Sequence, residues 1–234
     1  MTTAKRQDAV RDDDRESRSL TTIVGRLARF YGALPVPPCD AFGAYVWKVL
    51  SFQATPQRRD SAMAALQQIR ALTPDAVARA PRGRLEEAVA LAGPRRDERL
   101  RALTAGAAAF RRNPELGRAL KRPLPEARTA LAQLPHLTDA DGEWLLLFAG
   151  DQPTLPADSR TLRVLTRVAY GAAAASPQVL CASAAAELQH DLRALRQAAV
   201  YLSHHGLVTC TDGDPHCSVC PLLNDCPEGR LRQG

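Results

Sequence analysis

From Leu20 onward, apolar residues recur mostly at three- and four-residue spacing: Ile23, Leu27 and Phe30; Phe42, Tyr45, Val46 and Val49; Ala62, Leu66, Ile69 and Leu72. That spacing lines one face of an α-helix. Proline and glycine punctuate the pattern. Pro35-Val36-Pro37-Pro38 separates the first helix from the second, and Gly93-Pro94 and Pro123-Leu124-Pro125 break later ones. No stretch sustains a period of two. The pattern predicts an all-α protein of short helices with short connections and no internal repeat. Residues 1–18 carry five basic and five acidic side chains around no apolar centre, which reads as a charged, poorly ordered tail rather than a secretory signal.

Composition bounds this picture. The chain has 234 residues, 45% of them hydrophobic, ample for a buried core and incompatible with a wholly disordered chain. No apolar run approaches the roughly 20 residues needed to span a bilayer, so no membrane partner is expected and a cytoplasmic protein is the default. The net charge of +6 comes from 31 basic and 25 acidic residues, and only Lys5, Lys48 and Lys121 are lysines. Charge concentrates over residues 95–122, where Arg95, Arg96, Arg99, Arg101, Arg111, Arg112, Arg118, Lys121 and Arg122 face only Asp97, Glu98 and Glu115. Such a segment is either a solvated helix face or a phosphate-facing patch that gains affinity by releasing counterions.

Cys210, Cys217, Cys220 and Cys226 follow the spacing C-x6-C-x2-C-x5-C. Three chemistries suit four clustered thiols: two disulfides, disfavoured in a cytosolic chain, a structural zinc site, or an iron–sulfur cluster. Cys39 and Cys181 lie outside the motif and read as ordinary thiols, and His216 as a loop residue.

The cysteine spacing resembles that of the endonuclease III type of DNA glycosylase, with its helix-hairpin-helix and [4Fe–4S] loop. Ser203-His204-His205-Gly206-Leu207-Val208-Thr209-Cys210 is similar to the family's approach to the first cluster ligand. Ser51-Phe52-Gln53-Ala54-Thr55 resembles its Ser-x-Gln-x-Thr segment, whose glutamine fills the gap left by a flipped nucleotide. The turn around Gly93-Pro94, Leu134-Pro135 and Ala157-Asp158-Ser159-Arg160-Thr161-Leu162-Arg163-Val164 follow in the family's order, so the likeness covers about residues 20–228. It implies two helical domains. A central one over 41–152 ends in the hairpin. The other combines 19–40 with 153–234 and holds a [4Fe–4S] cluster on the four cysteines.

The same resemblance implies a catalytic carboxylate at Asp158, where an anion would stabilise positive charge developing on the sugar or activate a water. Asp158 also reads simply as an N-cap of the helix that follows. DNA contacts are implied for Gln53, Arg95, Arg96, Arg99, Arg160, Arg163, His136 and Thr138. The implied setting is a monomer on damaged double-stranded DNA at the nucleoid.

Two departures from the family stand out. Its hairpin reads Leu-Pro-Gly-Val-Gly-x-Lys-Thr-Ala. Here Leu134-Pro135-His136-Leu137-Thr138-Asp139-Ala140-Asp141-Gly142 lacks both glycines and puts Ala140 where the Schiff-base lysine would stand. Thr138-x-x-Asp141 reads instead as a capping box, with two carboxylates at the positive end of a helix where a phosphate would otherwise bind. The loop between Cys210 and Cys217 is likewise acidic. Lys48, five residues before Gln53, is either a catalytic pocket amine acting as base or nucleophile or a lysine snorkelling at a helix edge. These features predict base excision by hydrolysis with weak or absent abasic-site lyase activity. The alternative is a catalytically inactive, DNA-binding or lesion-sensing relative.

Overall fold

The computed structural model describes residues 19–171 and 175–233; the tail expected over residues 1–18 lies outside them. Among the described residues there are thirteen α-helices, two short 3₁₀ turns and no strand. In chain order the helices are α1 (Leu20–Tyr31), α2 (Ala41–Ser51), α3 (Pro56–Gln68), α4 (Pro74–Arg79), α5 (Arg82–Ala90), α6 (Arg96–Arg112), α7 (Leu116–Ala119), α8 (Leu124–Leu131) and α9 (Asp139–Phe148). There follow α10 (Ser159–Arg167), α11 (Pro177–Glu187), α12 (Leu192–Val208) and α13 (Pro227–Gln233). None is long and apolar enough to cross a membrane.

Side-chain oxygens start many of these helices. Ser19, Asp40, Thr55, Thr73, Thr138, Asp158, Ser176 and Asp191 each accept a backbone N–H of the following turn. Each such cap contributes about 1 kcal/mol by satisfying a donor that the helix itself cannot.

The chain forms two compact units, one from Pro37–Gln152 and the other from the residues up to Val36 together with those from Pro153 onward. The Pro37–Gln152 unit is built around α2, which is buried along most of its length. Tyr45 has no exposed surface, and its hydroxyl donates towards the carbonyls of Ala102 (2.8 Å) and Pro135 (3.1 Å). Gly106 on α6 makes room for the ring, since a Cβ there would lie 2.1 Å from Tyr45 Cε1. Pro135 opens the loop between α8 and α9, so this core tyrosine holds the hairpin from beneath.

The other unit joins distant parts of the sequence. α1 packs on α12; Tyr31 Oη lies 2.7 Å from His205 Nδ1, and Tyr201 donates to Gly32 O at 2.6 Å. Where α10 meets α12 the backbones approach closely, and a Cβ on Gly206 would meet Arg160 O at 2.8 Å.

Candidate functional site

The hairpin begins with a residue in an unfavourable conformation. His136 has φ +58°, a left-handed backbone that costs a side-chain-bearing residue roughly 1 kcal/mol or more and glycine almost nothing. Thr138 then starts α9 by the expected capping box. Its Oγ1 accepts from Asp141 N, and Asp141 Oδ2 accepts from both the backbone N–H and the hydroxyl of Thr138. The helix N-terminus is therefore closed by the Thr138 hydroxyl and the Asp141 carboxylate.

The second oxygen of Asp141 is also engaged. Lys48 Nζ on α2 lies 2.8 Å from Asp141 Oδ1, with 17% and 26% of the two side chains exposed, and 4.9 Å from the centre of the Trp144 ring. Burial raises the Asp141 carboxyl, but the charge and hydrogen bond of Lys48, with the bonds from Thr138, outweigh it and leave it below the ordinary 3.8. A cavity of about 300 Å³ opens beside this pair. It gathers Lys48 and three of the expected DNA contacts, Arg99, His136 and Thr138, together with Phe52, Glu98 and Arg101. Lys48 is thus a cavity-lining amine, held as the cationic half of an ion pair.

Gln53 stands on the exposed tip after α2, with φ +49°, next to Phe52, which is 49% exposed. The turn before α6 has a similar backbone: Gly93 has φ +97° and Arg95 +72°. Arg95 and Arg96 are exposed and pair locally with Glu98 (2.7 Å) and Asp97 (3.0 Å). Farther along the basic segment, Arg111, Arg118, Lys121 and Arg122 pair with Asp75, Glu115, Asp151 and Glu126. Exposed pairs of this kind are weak and exchangeable, and Asp75, Asp151 and Glu126 lie outside the segment, which itself keeps nine basic against three acidic residues.

Two arginines expected to face DNA are turned inward instead. Arg99 is 1% exposed, and its guanidinium donates to the carbonyls of Gly93, Pro94 and Phe52. Burial lowers its pKa from the usual arginine value, with the charge of Glu98 opposing. Helical spacing carried a signal for this: Ala102, Leu103 and Gly106, at i+3, i+4 and i+7, put Arg99 on the apolar stripe of α6. Arg163 donates to Cys210 O (2.8 Å) and Gly206 O (2.6 Å) and braces the cysteine loop. Arg160 stays half-buried over Gly206.

Asp158 belongs to the unit that holds the cysteine loop and caps α10. Its Oδ1 accepts from Arg160 N (3.0 Å) and Thr161 N (3.1 Å), and its Oδ2 from the Thr161 hydroxyl (2.9 Å). Three donors at the head of α10 hold the carboxylate in place and fix its rotamer.

Cys210, Cys217, Cys220 and Cys226 are free thiols that line one cavity with His205, Val164 and Leu222. N–H groups approach their sulfurs: Gly229 N donates to Cys226 Sγ (3.2 Å), Leu222 N to Cys220 Sγ (3.4 Å) and Arg167 Nη1 to Cys210 Sγ (3.4 Å). Without a metal charge, burial and the neighbouring thiols push Cys220 up to about 11. Among the described residues, no three metal-ligating side chains converge on a point that one ion could occupy. Four thiols around one cavity, approached by N–H groups, are a donor set chemically suited to a tetrahedral zinc or to a cluster taking one thiolate per iron. Sequence reasoning missed the network behind it. His205 Nε2 lies 3.6 Å from Cys220 Sγ, while Tyr31 joins His205 to Thr209 (2.7 Å). Burial, with His204 adding, lowers His205 to about 4, so the ring is neutral at pH 7.

No family model matches the sequence, and no curated protein sequence matches it either. Solved structures do match. A trapped covalent intermediate of endonuclease III with DNA, an estranged-adenine complex, aligns over 92% of this chain and 99% of that one, at 20% identity and a TM-score of 0.65. A non-covalent endonuclease III–DNA complex aligns over 92% and 96%, at 20% identity and a TM-score of 0.66. A thermostable thymine-DNA glycosylase aligns over 91% and 97%, at 14% identity and a TM-score of 0.66. The chain is an all-α protein of the endonuclease III-like glycosylase fold. At these identities the likeness is one of fold.

Proposed function

We propose that the chain is a base-excision DNA glycosylase of endonuclease III type. It acts as a monomer on damaged double-stranded DNA, at the nucleoid, and hydrolyses the glycosidic bond of an extruded nucleotide. The observation that carries this reading is the fixed Asp158 carboxylate at the head of α10, held by three donors. In the transition state the sugar gains positive charge, and a preorganised anion stabilises it or accepts a proton from an attacking water. Gln53, on its exposed tip, would occupy the space the nucleotide vacates.

Lyase chemistry is weak or absent in this reading. Ala140 has no amine, and the Lys48 amine is tied to Asp141 in an ion pair that it would have to leave to attack an aldehyde. The four cysteines would hold a [4Fe–4S] cluster whose role is structural, fastening the final loop to α10 and α12. A second reading, a DNA-binding relative without turnover, is favoured by one feature: Asp139 and Asp141 occupy the first turn of α9, where a phosphate would otherwise dock.

A panel of duplexes carrying different damaged bases, treated with the wild type and Asp158→Asn, decides between them. Base release lost in the variant supports the enzyme. Binding with no release from any duplex, unchanged in Asp158→Asn, supports the binding module.

A further inference from the structure

Arg99 is a buried cation whose donors point at backbone rather than at a carboxylate. Its three carbonyl partners come from two loops distant in sequence, Phe52 from one, 47 residues before Arg99, and Gly93 and Pro94 from the other, six and five residues before it. Both loops carry left-handed residues, Gln53 in the first and Gly93 and Arg95 in the second. Isolated loops would relax such conformations, so something over-determines them. Each loop also presents an exposed tip, Phe52-Gln53 in one and Pro94-Arg95 in the other. The planar guanidinium can reach several carbonyls in fixed directions, which the point charge of a lysine cannot do. Its Nε–H has no partner, and the side chain borders the cavity beside Lys48 and Asp141.

We infer that Arg99 is a positioning residue that locks the Phe52-Gln53 tip and the Gly93–Arg95 turn into a single rigid wedge for duplex DNA containing an extruded or missing base. Apolar and polar side chains inserted at a base step must be stiff to hold the duplex open, because the unstacking energy otherwise relaxes into the loops. Arg99 supplies that stiffness from inside α6 without touching DNA. This rests on the glycosylase reading for its ligand, though not for the coupling of the two loops.

The test uses the full chain as wild type, Arg99→Lys and Arg99→Met. Two duplexes are compared at matched salt, one intact and one carrying a tetrahydrofuran abasic analogue opposite 2-aminopurine. The wild type is expected to prefer the abasic duplex and to brighten 2-aminopurine. Both variants should bind intact duplex within about twofold of wild type, yet lose about tenfold of the preference and the fluorescence change. Arg99→Lys retaining the full preference overturns the inference.

A wild type without preference counts against the glycosylase reading instead. The wedge is then judged by amide hydrogen exchange in the free protein. The two tips should exchange with one shared opening free energy in wild type and accelerate together in Arg99→Lys. Independent exchange of the two tips in wild type overturns the inference even where a variant does not fold.

Discussion

Lys48 on α2 and Asp141 on α9 are joined by a 2.8 Å ion pair, one residue beyond Ala140. The amine near this hairpin is therefore a partner of the helix N-terminus. Its removal leaves a shielded carboxylate without its countercharge, still hydrogen-bonded to Thr138. Lys48→Met should destabilise the protein by about 1–2 kcal/mol at pH 7, between the exposed and buried limits for such pairs. Asp141 titrates below its ordinary 3.8 in the folded protein. Its contribution is thus present above pH 3.8 and is lost as pH falls through the lower folded value. The gap between wild type and Lys48→Met should close below about pH 4. Denaturant unfolding across pH 3–7 checks this; a gap constant with pH would show that packing on Trp144, not charge, is what Lys48 provides.

Borohydride trapping on abasic DNA addresses the same amine chemically. Wild type should give no covalent adduct, and Lys48→Ala should look the same. An adduct that disappears in Lys48→Ala would make Lys48 a nucleophile.

Asp158 serves as both cap and candidate catalyst, and the two roles separate by substitution. Asn keeps an acceptor for Arg160 N and Thr161 N, whereas Ala removes it and costs about 1 kcal/mol. Base release should fall by about a hundredfold or more in both variants, while the melting temperature falls only in Asp158→Ala. Release that tracks melting temperature instead would reduce Asp158 to its capping role.

His136, at φ +58°, carries avoidable backbone strain. His136→Gly should stabilise the protein by about 0.5–1 kcal/mol after the extra freedom of glycine in the unfolded chain is counted. By clearing the hairpin backbone it should also tighten binding to intact duplex. Chemical denaturation and fluorescence anisotropy measure the two effects; a destabilised variant would mean that the imidazole makes contacts outweighing the strain.

Purified protein should be brown and contain iron and acid-labile sulfide in equal amounts. Cys220→Ala should lose both. Chelation should expose residues 209–226 to protease while Pro37–Gln152 stays protected. A colourless sample containing zinc would replace the cluster by a single ion.

The fold class was legible because three- and four-residue apolar spacing recurs almost throughout, and the caps were legible because Thr138-x-x-Asp141 and Asp158-Ser159 are local signals. The direction in which a charged side chain points was less so. Arg99 and Arg163 look like surface cations in a basic, family-like sequence, and only the apolar stripe around Arg99 hints otherwise. Contacts such as Tyr31 with His205, 174 residues apart, leave no mark in local pattern. Nor does the left-handed backbone of His136, since glycine, the residue that would announce it, has been replaced.

The joining of α1 to α12 has a consequence for synthesis. α1 is translated before Pro37–Gln152, yet the side chains that receive Tyr31 and Gly32 are translated some 170 residues after it. Pro37–Gln152 can complete its core in the interval, as an insertion folding ahead of its host. Once the chain as far as Gln152 has left the ribosome, it would hold one finished unit and one waiting helix, with the apolar face of Leu20, Ile23 and Leu27 uncovered. That interval is when the protein is most open to aggregation and to chaperones.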